Sequence, residues 1–305
     1  MAAVIEAWIP ITIAAAFLQN VRSALQKHLK ARLSTSGATF VRFSYGFPLA
    51  IAYIAGLATI GGLPLPRPNA AFAGYAATGG VAQILATALL VSLFSYRNFA
   101  VGTTYSKTET VQTALFGLVI LGERVSLGAL LAIVISLAGV MAISVAKTEA
   151  GVRALWVSLS GKPALIGIAS GALFGVAAVS YRAASLSLGG EGFLMQAGFT
   201  LAVVTVLQTT VMAAYMRLRE PGELSRTLAH WRVAIWVGAS GVAASACWFT
   251  AMTIQKAAYV RALGQVELVF TFLVSALVFR EHTTRLELAG IVLIGAGILW
   301  LLLGA

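Results

Sequence analysis

Aspartate is absent from this 305-residue chain, and Cys247 is its one cysteine. An aspartyl dyad is therefore excluded, and a single thiol makes neither an internal disulfide nor a cysteine metal site. Neither HExxH nor GxSxG occurs, and His28, His230 and His282 stand far apart near expected segment ends. Metal-assisted hydrolysis and serine-nucleophile chemistry thus lack their residues. Ser106 does precede Lys107, but adjacent helical residues point about 100° apart, a poor nucleophile–base pair. Charge is scarce as well, at 10% of residues, where soluble proteins carry about 25%. No polar stretch is long enough for a water-soluble domain. With 59% hydrophobic residues and a mean hydropathy of +0.91, the chain reads as a membrane protein, not an enzyme, and implies no cofactor or metal. No Lys/Arg run has interleaved aromatics, so the net charge of +11 points to membrane orientation and anionic lipid headgroups, not nucleic acid. The first segment has no basic n-region and no small-residue cleavage site, which predicts a retained span.

Crossing a bilayer core takes about 20 apolar residues. Ten segments qualify: Trp8–Leu25, Thr39–Ile60, Ala70–Ser95, Val101–Leu121, Ser126–Val145, Ala164–Leu186, Gly192–Met216, Val233–Ile254, Ala258–Phe279 and Leu286–Leu303. The runs are continuous and not alternating, which argues for helices over strands. Linkers are short, and the three prolines of "GGLPLPRPNA" (61–70) cannot continue a helix. The longest polar stretches are 147–163 and 217–232. The odd loops hold Lys27, Lys30, Arg32, Arg97, Lys147, Arg153, Lys162, Arg217, Arg219, Arg226, Arg232, Arg280 and Arg285. The even loops hold only Arg67, Arg124, Arg182 and Lys256. The positive-inside rule puts the odd loops in the cytoplasm and both termini outside.

Shifting the chain by 158 residues lays "TETVQTALFGLVILGERVS" (108–126) on "VELVFTFLVSALVFREHTT" (266–284). Glu109 meets Glu267 and Glu123 meets Glu281, two acidic coincidences from only ten acidic residues. Ile133, Val134, Ala138 and Gly139 then meet Ile291, Val292, Ala296 and Gly297. Residues 1–150 and 151–305 thus form two five-span halves of one membrane domain. Five is odd, so the second half enters from the opposite side. The predicted fold class is an all-α polytopic membrane protein, with ten transmembrane helices in two inverted five-helix repeats around a central cavity.

The turns "LGER" and "FREH", each followed by a span carrying "LAGVMAI" or "GAGILWL", occur once per half. They resemble the EamA-type repeat of the drug/metabolite transporter superfamily, and the chain is most similar to the ten-span amino-acid exporters of the YddG type. The resemblance implies a helical basket around a cavity and efflux of small metabolites. It also implies cytoplasmic termini, against the charge count, which is followed here.

Two residue classes separate within the spans. Ala132 and Gly139 in span 5, with Gly290 and Gly297 in span 10, form small-residue stripes suited to close helix packing. The small multidrug transporters of the superfamily use a similar glycine pair, which implies a scaffold seam here. Glu123 and Glu281, three residues before Ser126 and Thr284, are candidates for capping the next helix. Glu109 and Glu267, about ten residues into their spans, are different. A carboxylate there costs several kcal/mol unless paired, protonated or wetted, and marks a functional site by default. The structural alternative is a buried pair, such as Glu109 with a Lys or Arg of another helix. On a continuous helix Lys107 and Glu109 lie about 200° apart, so at most one faces a cavity and the other reaches a neighbouring helix. Tyr105 and Gln112 share the Glu109 face. Gln19, Asn20, Tyr45, Gln83, Tyr181, Trp248 and Gln265 complete a candidate polar-aromatic cavity lining, with Gln196 and Gln208 as further polar groups at plausible depth; Arg42, early in span 2, is an interfacial anchor or a gate residue, and Arg261 lies nearer a span end.

These features predict a secondary transporter working by alternating access, functional as a monomer in the inner (plasma) membrane and exporting amino acids or similar small metabolites. Two alternatives share the fold. A proton-coupled multidrug or cation exporter needs a carboxylate open to the cavity, and a nucleotide-sugar or phosphate carrier needs paired midplane cations.

Overall fold

The computed structural model describes residues 6–30, 32–93, 96, 104–146, 161–190, 192–273 and 284–304. Regular structure among the described residues is helical throughout. In chain order the helices are α1 (Trp8–Lys30), α2 (Thr35–Ser44), α3 (Phe47–Thr59), α4 (Ala70–Ser92), α5 (Glu109–Leu121), α6 (Leu127–Ala146) and α7 (Lys162–Ser187). They continue as α8 (Phe193–Arg219), α9 (Glu223–Ala229), α10 (Trp231–Ile254), α11 (Ala257–Leu263), α12 (Val266–Leu273) and α13 (Arg285–Gly304). Among the described residues, seven helical segments are long and apolar enough to cross a membrane: α2 with α3, α4, α6, α7, α8, α10 and α13. The chain is thus a multi-pass membrane protein. Large apolar side chains such as Val119 on α5, Val134 on α6, and Val292 and Leu299 on α13 are exposed, as befits helices whose outer faces meet lipid instead of water.

Hydropathy expects ten unbroken spans, and the described chain departs from that in three places. The second span bends at Tyr45–Gly46 into α2 and α3, and spans four and nine are interrupted as described below. Hydropathy sums transfer free energies along the chain and does not register a kink. The polar stretch 217–232 also contains a short helix, α9. Residues 94–95, 101–103 and 274–279 of the expected spans lie outside the described residues, as do Glu281 and His282.

By packing, the described chain divides into two units, with boundaries inside α4, inside α7 and between α10 and α11. The first comprises residues up to 84 and 180–255. Its most extensive helix pair is α1 with α10, and α8 packs on α2, α3 and α10. Leu29, Leu33, Ala38, Val41, Ala234 and Val237 form one apolar cluster; Phe40, Phe43, Met212 and Met216 form another. The N-terminus of α2 shows why a polar loop matters there. Ser34 Oγ accepts the Gly37 N–H at 3.0 Å, while the Ser34 N–H donates to Glu223 at 2.6 Å. The hydroxyls of Ser34 and Ser36 each donate to Glu220 at 2.7 Å. Two carboxylates thus sit at the positive end of α2, satisfying donors that would otherwise be stranded. The bend before α3 brings backbone against α10. A Cβ on Gly46 would fall 2.7 Å from Val242 Cγ2, and one on Gly238 would fall 2.6 Å from the Tyr45 carbonyl carbon. Pro48 in the first turn of α3 needs no helical acceptor.

Arg182 belongs to α7 and not to a loop, which corrects its place in the charge count. Its guanidinium donates to the carbonyls of Met252 (2.6 Å), Thr253 (3.2 Å) and Gln255 (2.7 Å). Those are last-turn acceptors of α10, which a cation stabilises both by hydrogen bonding and by the helix dipole.

The second unit comprises residues 85–179 and 256–305, and its most extensive pair is α6 with α13. A Cβ on Gly139 would lie 2.5 Å from the Gly290 carbonyl oxygen, and one on Gly290 would lie 2.6 Å from Ile143 Cγ1. One on Gly297 would lie 2.8 Å from the Ala132 carbonyl oxygen. Backbone therefore approaches backbone along this seam, and Val140, Ile143 and Ile294 close it. Gly122 ends α5 in the left-handed conformation (φ 67°). The Gly122 N–H reaches the Leu118 carbonyl, the bond of the αL helix stop. Ser126 caps α6 by accepting the Ala129 N–H at 3.0 Å. In the second half Thr284 and Glu287 make a reciprocal capping box ahead of α13, at 2.9 and 3.2 Å.

Candidate functional site

The segments expected as spans four and nine break at the same repeat position. A helical turn at 104–106 gives way to a turn at 107–108 before α5 begins at Glu109; α11 ends at Leu263 and a turn at 264–265 precedes α12. Under the 158-residue shift, Lys107 and Gln265 coincide. The hydrogen bonds show how each break is made. The N–H groups of Lys107 and Thr108 reach back three residues, to Thr104 and Tyr105, at 3.0 and 3.1 Å. Those of Gln265, Glu267 and Leu268 reach back three residues too, to Ala262, Gly264 and Gln265. The Thr108 hydroxyl also bonds the Tyr105 carbonyl at 2.6 Å. Such tightening inside a span marks a hinge or a strained sequence. Ser106, Thr108 and Gly264 lower the cost, since the hydroxyls offer the backbone alternative partners and glycine propagates helix poorly.

The break brings four charges together. Lys107 pairs with Glu267, and Arg261 pairs with Glu109. Each glutamate therefore takes its cation from the opposite span, and the cluster sums to zero. The glutamates also stand in the first turns of α5 and α12, where the helix dipole favours negative charge. The cations do not follow the repeat: Gln265 occupies the position matching Lys107, and Arg261 lies one turn earlier, where the first half has Thr103. Gln265 instead donates to the Thr110 hydroxyl at 2.8 Å, so three cross-span interactions tie α5 and its preceding turn to α11 and α12. The 200° argument for Lys107 and Glu109 fails here, because the chain leaves helical geometry between them and both side chains reach across.

Helix α7 packs on this break through glycines. A Cβ on Gly171 would lie 2.8 Å from the Ser106 carbonyl oxygen and 3.2 Å from the Glu109 nitrogen; one on Gly175 would lie 3.1 Å from Thr113 Oγ1 and Phe116. The Gly171/Gly175 spacing is a small-xxx-small face that the repeat comparison misses, because its first-half counterparts are Ile13 and Phe17. Gln112 donates to Thr108 at 3.1 Å, and its carbonyl oxygen is buried without a hydrogen bond. Tyr105, in the turn before the break, packs with Val145 and Ala164.

The remaining candidates lie in the first unit. Gln83, Tyr181 and Gln208 form a network: Gln208 donates to Gln83 Oε1 at 2.8 Å, and the Tyr181 hydroxyl bonds Gln83 Oε1 at 3.0 Å and the Gly79 carbonyl at 2.9 Å. The Tyr181 ring stacks on Phe249 with centroids 4.4 Å apart. The Trp248 indole donates to Gln19 at 3.1 Å, joining α10 to α1, on which Asn20 is half-buried. Tyr45 donates to the Thr227 carbonyl at 3.3 Å, beside the Leu29–Val41 cluster. A narrow recess, with room for about one water, is lined by Gln83 and Gln208 with Arg42, Thr205, Ser245 and apolar side chains. Its Arg42–Ser245 side is not legible in the sequence, since the two residues are 203 positions apart.

A polytopic helical membrane protein with broken, charge-paired spans in mated positions is the class these features define. The chain belongs to the EamA-like transporter family of the drug/metabolite transporter superfamily, whose profile matches it twice, over residues 6–145 and 162–303. None of the curated proteins matches it significantly in sequence. Among solved structures, one described only as "Crystal structure of protein" superposes with a TM-score of 0.72, covering 96% of this chain and 95% of that one at 17% identity. At that identity the likeness concerns the fold.

Proposed function

We propose that the chain is a secondary transporter exporting amino acids or similar small metabolites across the inner membrane by alternating access, with its two repeats inserted in opposite orientations. The observation that carries the proposal is the coincident break of spans four and nine with its crossed ion pairs. Discontinuous membrane helices in mated halves are the usual framework of substrate and gating sites in carriers. A neutral cluster of four charges, each held by the opposing span, suits a latch between two discrete arrangements. Closed, it satisfies every charge; opening it requires all four to find water or substrate together. Pairing of spans five and ten, and of four and nine, is the pattern a pseudo-two-fold axis generates. The cation-exporter alternative loses support, since both carboxylates it needs are engaged by cations.

The charge asymmetry of the loops places both termini outside in this reading. The test is flux. Purified protein reconstituted into liposomes should move labelled amino acids faster than empty vesicles, measured with and without a pH gradient. An absence of flux above empty vesicles across a broad metabolite panel would refute the proposal.

A further inference from the structure

We propose that the corner formed by the end of α8, α9 and the start of α10 binds the headgroup of an anionic phospholipid, through Arg217, Arg219, Arg226 and Arg232 with Trp231 among them. The site does not depend on which solute the protein carries.

Six residues between 217 and 232 carry full charge, and the fold sorts them by sign. Both acids turn inward. Glu220 accepts the hydroxyls of Ser34 and Ser36, and Glu223, only 3% exposed, accepts the Ser34 N–H at the start of α2. The cations turn outward. Arg217, Arg219 and Arg232 are exposed, and among the described residues no carboxylate pairs with them. Arg226 pairs with Glu223 at 3.1 Å, yet its side chain is 68% exposed, so its guanidinium keeps donors for a second anion. Arg32, two residues before Ser34, is exposed as well.

Helix ends account for part of this set and not for all of it. Arg217 and Arg219 stand in the last turn of α8, where the helix dipole favours a cation. Arg232 stands in the first turn of α10, where the dipole opposes one. An anion beside Arg232 offsets that cost. The apolar surroundings point to a lipid and not to a soluble anion. Leu218, Leu228, Trp231 and Trp236 are each more than half exposed, and the Arg232 guanidinium lies over the Trp231 ring at 5.8 Å. Tryptophan beside arginine at the end of an apolar helix is the composition of a membrane interface. A phosphate alone has no use for such a rim, whereas a phospholipid supplies both the phosphate and the hydrocarbon. In the orientation that the loop charges favour, this corner meets the cytoplasmic leaflet, whose surface potential is negative. Helix α9 presents Arg226 outward and Glu223 inward to α2, so a headgroup on Arg226 also steadies the contact between α9 and α2.

The test uses the full chain in phosphatidylcholine vesicles carrying a few mole per cent of photoactivatable phosphatidylglycerol. Mass spectrometry of peptides covering residues 215–236 reads the labelling, with photoactivatable phosphatidylcholine as the neutral probe. Each arginine near an anionic surface contributes about fivefold to lipid affinity. The anionic probe should therefore label this corner at least about tenfold more than the neutral one. Replacing Arg217→Gln, Arg219→Gln and Arg232→Gln together should remove that excess, and the matching Arg→Lys triple should keep most of it. Equal labelling by the two probes, or an excess unchanged in the glutamine triple, would overturn the proposal. So would complete competition by glycerol phosphate, which would mark a site for a soluble anion. If the glutamine triple fails to fold, salt decides on the unaltered protein: the excess should fall as NaCl is raised, and an excess indifferent to salt would overturn the proposal.

Discussion

Breaking the Lys107–Glu267 pair is the most direct probe of the charge cluster. Two unit charges about 4 Å apart attract by about 4 kcal/mol at an effective dielectric near 20. The Lys107 side chain is 30% exposed and that of Glu267 12%, so solvent screening reduces the coupling to about 2 kcal/mol. Lys107→Gln leaves the cluster with a net negative charge and Glu267→Gln with a net positive one, so each single change should destabilise the protein by about 2–3 kcal/mol, toward the low end for a broken buried pair. The double variant restores neutrality and should cost less than the sum, giving a coupling of about 2 kcal/mol, or roughly thirtyfold in the unfolding equilibrium. The charge-reversed pair Lys107→Glu with Glu267→Lys should recover part of the loss. The assay is reversible unfolding in mixed micelles, followed by tryptophan fluorescence over an SDS titration. A coupling below about 0.5 kcal/mol, the level of solvated surface pairs, would refute the reasoning, as would a reversed pair no better than the single variants.

Further outcomes follow from other contacts. Gly290→Leu forces side-chain atoms into the Gly139 carbonyl and Ile143, so α6 and α13 must part, and the same titration should show a loss of at least about 1–3 kcal/mol. Gly171→Leu pushes α7 off the break at Ser106 and Glu109; it should impair flux in liposomes more than the same change at Gly74, where a Cβ meets open space. Gln208→Leu removes a donor to Gln83 at a site 1% exposed and should cost about 1–3 kcal/mol in the unfolding assay. An epitope fused to the N-terminus should be accessible to antibody on intact spheroplasts if the termini face outward, and only after permeabilisation if they do not.

Much of this protein is legible from residue types and order alone. Scarce charge and long apolar runs declare a membrane protein, because the cost of placing each side chain in hydrocarbon accumulates along the chain. The 158-residue self-match exposes the duplication and singles out Glu109 and Glu267, since a buried carboxylate is too costly to recur by accident. The identity of each glutamate's partner is not local information. Lys107 and Glu267 are 160 residues apart, and Arg261 has no counterpart in the first half, so only packing of span four against span nine shows that the four charges close on one another. The helix breaks belong to that tertiary level too. Loosening the backbone at Lys107 and Gln265 sacrifices regular hydrogen bonds in an apolar setting, and hydropathy carries no signal for it; what offsets the loss is the ion pairs and the close glycine face of α7, which exist only once the helices have come together.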